Sequence, residues 1–216
     1  MPPTAPSGTP VIEAVPAGTV FHRVHGTYPA HTFNPTPQPS RLQGGRFDSL
    51  TGDYAYTYLG EHPDAALAET ICRDLPLGGP ARLVPHAMLA GRRMSRVRTT
   101  RDLDILVLHG AALTQVNAPL ALTKCDAGHY LTTRAWADTL RTWCPDVAGF
   151  RYRCRHDEDL RALVLFDDGP PAATSQRPAR ARGALATVAR STYALTSAAG
   201  LATTRRVLRA HNATLS

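Results

Sequence analysis

Three separated stretches of this 216-residue chain hold side chains suited to gripping and working on an anionic substrate. They are FHRVHG, with Arg23; YTYLGEHPDAALAE, with Tyr58 and Glu69; and RYRCRHDED, with Cys154 and Arg155. A planar guanidinium offers paired donors to anionic oxygens, so Arg23 is a candidate to hold a phosphate or a sugar. Arg46, in the GGRF element between the first two stretches, is a second candidate phosphate contact, and Arg155 extends the same basic set. Glu69 is a carboxylate, a group able to steady positive charge that develops on a substrate. Tyr58 offers a ring on which a flat group can stack. Each has a plainer alternative: Glu69 a solvated helix carboxylate, Arg23 a surface arginine on a strand, Tyr58 a core tyrosine.

Cys154 has three readings of its own, the first as a weak thiol donor to the substrate or to the Glu69 carboxylate. As a thiolate, activated by His156, His129 or the neighbouring arginines, it would be a nucleophile. As a buried thiol it is a small hydrophobe, the commonest fate of a free cysteine. The histidines show no HExxH or similar spacing, so no metal site is expected. No GxGxxG and no P-loop is present, which argues against a Rossmann-type cofactor site.

The elements that must position these groups are partly legible. Residues 149–166, GFRYRCRHDEDLRALVLF, alternate on a period of two, with Phe150, Tyr152, Cys154 and His156 on one face and Arg151, Arg153 and Arg155 on the other; this predicts a hairpin beside Cys154. GTVFHRV and DYAYTYLG read as strands, the second with Tyr54, Tyr56 and Tyr58 on one face. HPDAALAETICRDL predicts an amphipathic helix with Leu67, Ile71 and Leu75 in a stripe and Glu69 near its start. ARLVPHAML and LDILVLHG read as further strands. YLTTRAWADTLRTW predicts a helix whose apolar face holds Leu131, Ala135 and Leu140 with Trp136 and Trp143. Strands and helices are mixed rather than strictly alternating, which predicts an α+β fold.

Taken together, Arg23, GGRF, Tyr58, Glu69 and the strand ending in VLF resemble the RES domain family, named for an Arg, a Glu and a Ser that follow one another in that order. The likeness runs from about Val20 to Phe166, with Cys154 standing where the family has its Ser. The resemblance implies an ADP-ribosyltransferase-like fold of mixed and antiparallel sheets around a central NAD+ cleft, with flanking helices. It implies an enzyme that releases nicotinamide from NAD+ by hydrolysis or phosphorolysis, with inorganic phosphate then a co-substrate. NAD+ would be a substrate, not a resident cofactor. Alternatives are ADP-ribosyl transfer to a protein or small molecule, and an NAD+-binding module with little turnover. The family likeness also implies a toxin paired with a helix-turn-helix antitoxin protein; a homo-oligomer is a further expectation. Under this reading Glu69, Arg23 and Cys154 are catalytic, and Arg23, Arg46, Tyr58 and Arg155 bind substrate.

Composition sets the outer bounds. The 43% hydrophobic content suffices for one packed domain, and no segment has the run of apolar residues, about 18 or more, that a membrane span needs. With no signal-like N-terminus and no CxxC spacing, a cytoplasmic protein with reduced thiols is expected. Nine of the 18 prolines precede residue 40, so residues 1–19 read as a proline-rich extension before a catalytic domain over 20–169. The net charge of +7 sits in residues 170–216, where Arg177, Arg180, Arg182, Arg190, Arg205, Arg206 and Arg209 meet no acidic residue. The stretch after Gly169 reads as a Pro, Ala and Arg linker, with one or two helices over 184–210 broken near Gly200. This basic tail is open to three readings: a solvated extension, a helical arm for self-association or an antitoxin, or a nucleic-acid contact. Tyr193 alone interrupts the arginines as an aromatic, which makes nucleic acid the weakest of the three.

Overall fold

The computed structural model describes residues 2–40, 43–76, 82–169 and 180–216. In chain order its elements are β1 (Ile12–Val15), β2 (Val20–His25), β3 (Ala55–Gly60), α1 (Pro63–Ala68), β4 (Arg82–Val84), β5 (Arg93–Thr99) and β6 (Leu103–Leu108). There follow α2 (Ala112–Gln115), α3 (Ala121–Lys124), α4 (Tyr130–Trp143), β7 (Gly149–Arg153), β8 (Arg161–Asp167), β9 (Leu185–Thr187), β10 (Tyr193–Ala194), α5 (Ala198–Ala210) and β11 (Ala213–Leu215). The fold is α+β, with one curled, mostly antiparallel sheet and few helices.

The main sheet runs β1-β6-β7-β8-β3-β2-β5-β10, with β9 also on β5, and β4 pairs with β11 apart from it. Among the described strands of the main sheet, β6 and β7 are the parallel pair, and the chain between them carries α2, α3 and α4. A parallel connection needs a crossover of that kind, whereas β7 and β8 join as the hairpin their alternation predicts. Phe150, Tyr152 and Cys154 are fully buried on one face. On the other, Arg151 pairs with Glu13 and with Glu61 at 2.8 Å, and Arg161 pairs with Glu61 at 2.9 Å. Arg151 is thus matched by carboxylates from β1 and from the residue after β3, whereas Arg153 and Arg155 donate to the carbonyls of Glu158 and Arg73.

Both chain ends are built into the sheet, unlike the extension and tail that composition suggests. β1 forms one edge against β6, β9 and β10 lie on β5, and α5 packs Val207 and Leu208 into a core with Leu67, Met94 and Leu195. Two tail arginines are tied back: Arg180 to Asp168 at 2.6 Å and Arg206 to Asp64 at 2.5 Å. The α5 helix is continuous through Gly200, which sits in its first turn where a Cβ would stand 2.3 Å from the Ala194 carbonyl. Residues 170–179, most of the expected linker, lie outside the described residues.

Two helices differ in detail from expectation. α4 forms, but it buries Tyr130, Thr133, Trp136, Ala137 and Leu140, while Leu131 is 40% exposed. α1 stops at Ala68, because the Leu67 carbonyl is shared by the N–H groups of Thr70, Ile71 and Cys72 and the chain turns away. Glu69 is therefore the C-cap of a six-residue helix instead of lying near the start of a long one. Leu67, Ile71 and Leu75 are buried all the same. Likewise ARLVPHAML is a strand only over Arg82–Val84.

Candidate active site

The sheet splits between β2 and β3. These strands share one registered pair, His22 opposite Gly60, and then diverge, while β2 pairs with β5 along its whole length. The chain after β2 enters the gap and bridges to β3 at Asn34 and Tyr56. A cleft with about 740 Å³ of empty space, counting its open mouth, results. Its wall takes Arg23 from β2, Tyr58 from β3, Arg46 from the intervening loop and Glu69 from the end of α1. Four candidate residues scattered over 47 positions of sequence thus converge on one hollow.

Glu69 is held by three donors. Arg46 pairs with its Oε2, the Tyr152 hydroxyl donates to Oε2 at 3.1 Å, and the main-chain N–H of Arg155 donates to Oε1 at 2.9 Å. A carboxylate accepts at about four lone-pair sites, so one remains, on Oε1, for a substrate hydroxyl. Burial opposes the Arg46 charge, but Glu69 outweighs it and the guanidinium pKa lies above its ordinary value. Burial, then Glu69, raises the Tyr152 pKa well above the usual phenol range, so this hydroxyl stays a donor. Arg46 Nε and Nη1 are buried with no protein partner among the described residues.

The loop that carries Arg46 depends on two glycines. Gly44 has φ +75°, and a Cβ there would stand 2.3 Å from Asp48 Oδ2; one on Gly45 would stand 2.6 Å from the Tyr58 hydroxyl. Asp48, buried, accepts from Gly45 N at 2.6 Å and from the Tyr58 hydroxyl at 2.7 Å, and that hydroxyl accepts from Phe47 N at 2.9 Å. Tyr58 is therefore a wall of the cleft pinned by its own hydroxyl.

The sequence matches the family model of the RES domain over residues 20–196, more than four-fifths of the chain. This chain belongs to the RES domain family. The search of curated proteins returns no match to it. The RES family is associated with NAD+-related enzymatic activity.

In this RES domain the Arg and the Glu of the pattern share the cleft, but Cys154 does not line it. Its thiol is fully buried beneath α1, with Ala65 O at 4.0 Å, and burial, then Glu69, push its pKa up. That corrects the expectation of a catalytic thiol: the low exposure and raised pKa are the opposite of what a nucleophile needs. Cys154→Ser is expected to keep the rate of any NAD+ turnover within about three-fold, and a maleimide should leave Cys154 unlabelled in the folded protein by peptide mass mapping. Arg155 is corrected too. Its side chain donates to the Arg73 carbonyl at 3.0 Å and lies outside the cleft wall, so it serves Glu69 through its backbone.

Several residues of the site carry no signal of their own in the sequence. Arg73 and Arg92 line the cleft with Tyr28 and Asn34. Arg134, fully buried on α4, donates to the carbonyls of Gly45 at 3.0 Å, Gln38 at 2.5 Å, Ser40 at 2.6 Å and Gln43. It staples the GGRF loop from beneath. A polar residue on the inner face of a helix, as Arg134 is, is the one signal that sequence periodicity offers for such a role.

His25 sits behind the wall, 6% exposed, with Nδ1 3.0 Å from Tyr28 O and Nε2 2.8 Å from Ser95 Oγ. Burial, then the Arg23 charge, lower its pKa from 6.5. The neutral ring thus donates from Nδ1 and accepts at Nε2. A lowered folded-state pKa means that stability is full above about pH 6.5 and is lost as pH falls through that value toward the folded pKa. The melting temperature of the wild type should therefore drop more between pH 7 and pH 5 than that of His25→Gln, by scanning calorimetry.

Proposed function

We propose that this RES domain cleaves the bond between nicotinamide and ribose in NAD+. Glu69 accepts a ribose hydroxyl at its remaining site and stabilises the positive charge that builds on the sugar. Nicotinamide departs with the electron pair of the broken bond, and water or phosphate supplies an oxygen to the sugar carbon, its proton passing to solvent. Arg23 holds the anionic part of the substrate, Arg46 stands in the same wall paired with Glu69, and the pinned Tyr58 ring forms a wall for the nicotinamide. The opening of the sheet between β2 and β3 around the cleft supports an ADP-ribosyltransferase-like arrangement.

The observation that carries this reading is the placing of a carboxylate with one unfilled acceptor site among four arginines in one cleft. Such a site suits a substrate that is anionic at a pyrophosphate and becomes cationic at a sugar. Chromatography of NAD+ incubated with the protein tests it. Nicotinamide should appear together with ADP-ribose, or with a phosphorylated ADP-ribose when phosphate is present. An acceptor other than water or phosphate would show as nicotinamide without either product, and intact NAD+ at high protein concentration would contradict the reading.

A further inference from the structure

Two cleft residues, Arg92 and Tyr28, have no task in the chemistry above. Arg92 directly precedes β5, is half-buried, and its side chain makes no hydrogen bond or ion pair with any described residue. Burial, then the like charge of Arg73, lower its pKa. Arg23, 4% exposed in the same wall, donates to the carbonyls of Ala30 at 2.6 Å and Thr32 at 2.5 Å, and no carboxylate among the described residues lies within 4.0 Å of it. The other two arginines are already matched: Arg46 by Glu69, and Arg73 by Asp74 at 3.0 Å. Two partly desolvated guanidinium charges therefore face the cleft without counter-charge, an arrangement that is costly unless an anion supplies it.

Tyr28 completes the set. It is 47% exposed, whereas Tyr56 in the same wall is 3% exposed. The Arg23 guanidinium lies 5.4 Å from its ring centroid and the His25 ring 5.8 Å from it. His25 also holds the Tyr28 carbonyl, so the ring stands on a fixed backbone with much of its surface uncovered. An exposed, anchored aromatic beside guanidinium groups is a platform for a nucleobase whose phosphates the cations hold. The charged neighbours of Arg92 are Arg73 and Asp74, with Tyr28 beside them, whereas Arg46 feels Glu69, Tyr152, Tyr130 and Tyr58. The stacking platform thus belongs to a different set of groups from the catalytic carboxylate.

We propose that Tyr28, Arg92 and Arg23 form a subsite for the ADP half of the substrate, with adenine stacked on Tyr28 and the two negative charges of the pyrophosphate met by the two unmatched guanidiniums. The assignment rests on the reading of the cleft as an NAD+ site. It implies that free ADP, which has no nicotinamide, binds alone and competes with NAD+.

The test is calorimetric titration of ADP into the full-length wild type, Tyr28→Ala and Arg92→Met, beside steady-state nicotinamide release. Both side chains are partly or largely exposed, so melting temperatures should stay within about 2 °C of wild type. The dissociation constant for ADP should rise about ten-fold or more in each variant, and the loss in nicotinamide release should fall on KM rather than kcat. ADP affinity within two-fold of wild type in both variants would overturn the subsite even if nicotinamide release proceeds. Variant-sensitive ADP binding without any nicotinamide release by the wild type would support the subsite and defeat the proposed reaction.

Discussion

Glu69→Gln should lower nicotinamide release about a thousand-fold while leaving a folded protein. The amide keeps the shape and most of the hydrogen bonds but not the charge, and catalysis here depends on charge that faces a sugar cation from a carboxylate only 7% exposed. The loss should fall on kcat. The same change has a structural cost, because Arg46 is 2% exposed and would lose its counter-ion. Breaking a buried pair from one side costs about 3–5 kcal/mol. For a chain of this size that corresponds to a fall of roughly 6–20 °C in melting temperature. Rates therefore need to be compared well below the variant's own transition. Glu69→Ala is the poorer probe, since it strips Tyr152, Arg155 N and Arg46 of their shared acceptor at once.

The second large effect is expected at a residue that meets no substrate. Arg134→Met should destabilise the protein by about 3 kcal/mol or more, a drop of roughly 6–12 °C, because four loop carbonyls lose their donor inside the protein. Asp48 also loses a neighbouring cation that offsets its burial, so its already raised pKa should rise further. As the stapled loop carries Arg46, NAD+ turnover should fall with it. Circular dichroism melts give the first quantity, and nicotinamide release at low temperature the second. Equal melting temperatures for wild type and variant would remove Arg134 from the account.

The contrast between Glu69 and Arg134 shows where sequence reading succeeds. Arg23, Arg46, Tyr58 and Glu69 belong to a dispersed pattern, and the split of β2 from β3 brings all four to one cleft. The β7–β8 hairpin was equally legible, because alternation on a period of two is a local property of the chain. What was not legible depends on contacts distant in sequence. Arg134 works on carbonyls about 90 residues away. Arg92 stands out only through the counter-charge it lacks, and Tyr28 only through the exposure of its ring. Of the readings open for Cys154, the buried thiol holds and the arginine-activated nucleophile does not, because successive strand residues point to opposite faces and the thiol lies in the core. The solvated-extension reading of the tail rests on its charge and small residues, but Leu185, Leu195, Val207 and Leu208 are apolar enough to dock it.

The central claim is that the cleft lowers the barrier to a sugar cation through Glu69. Proton NMR of NAD+ mixed with equimolar protein tests it most directly, since bound and released nicotinamide give distinct ring signals. Free nicotinamide should accumulate with the wild type and stay undetected over the same time with Glu69→Gln. An NAD+ spectrum that the wild type leaves unchanged over hours, or equal release by both proteins, would contradict the account.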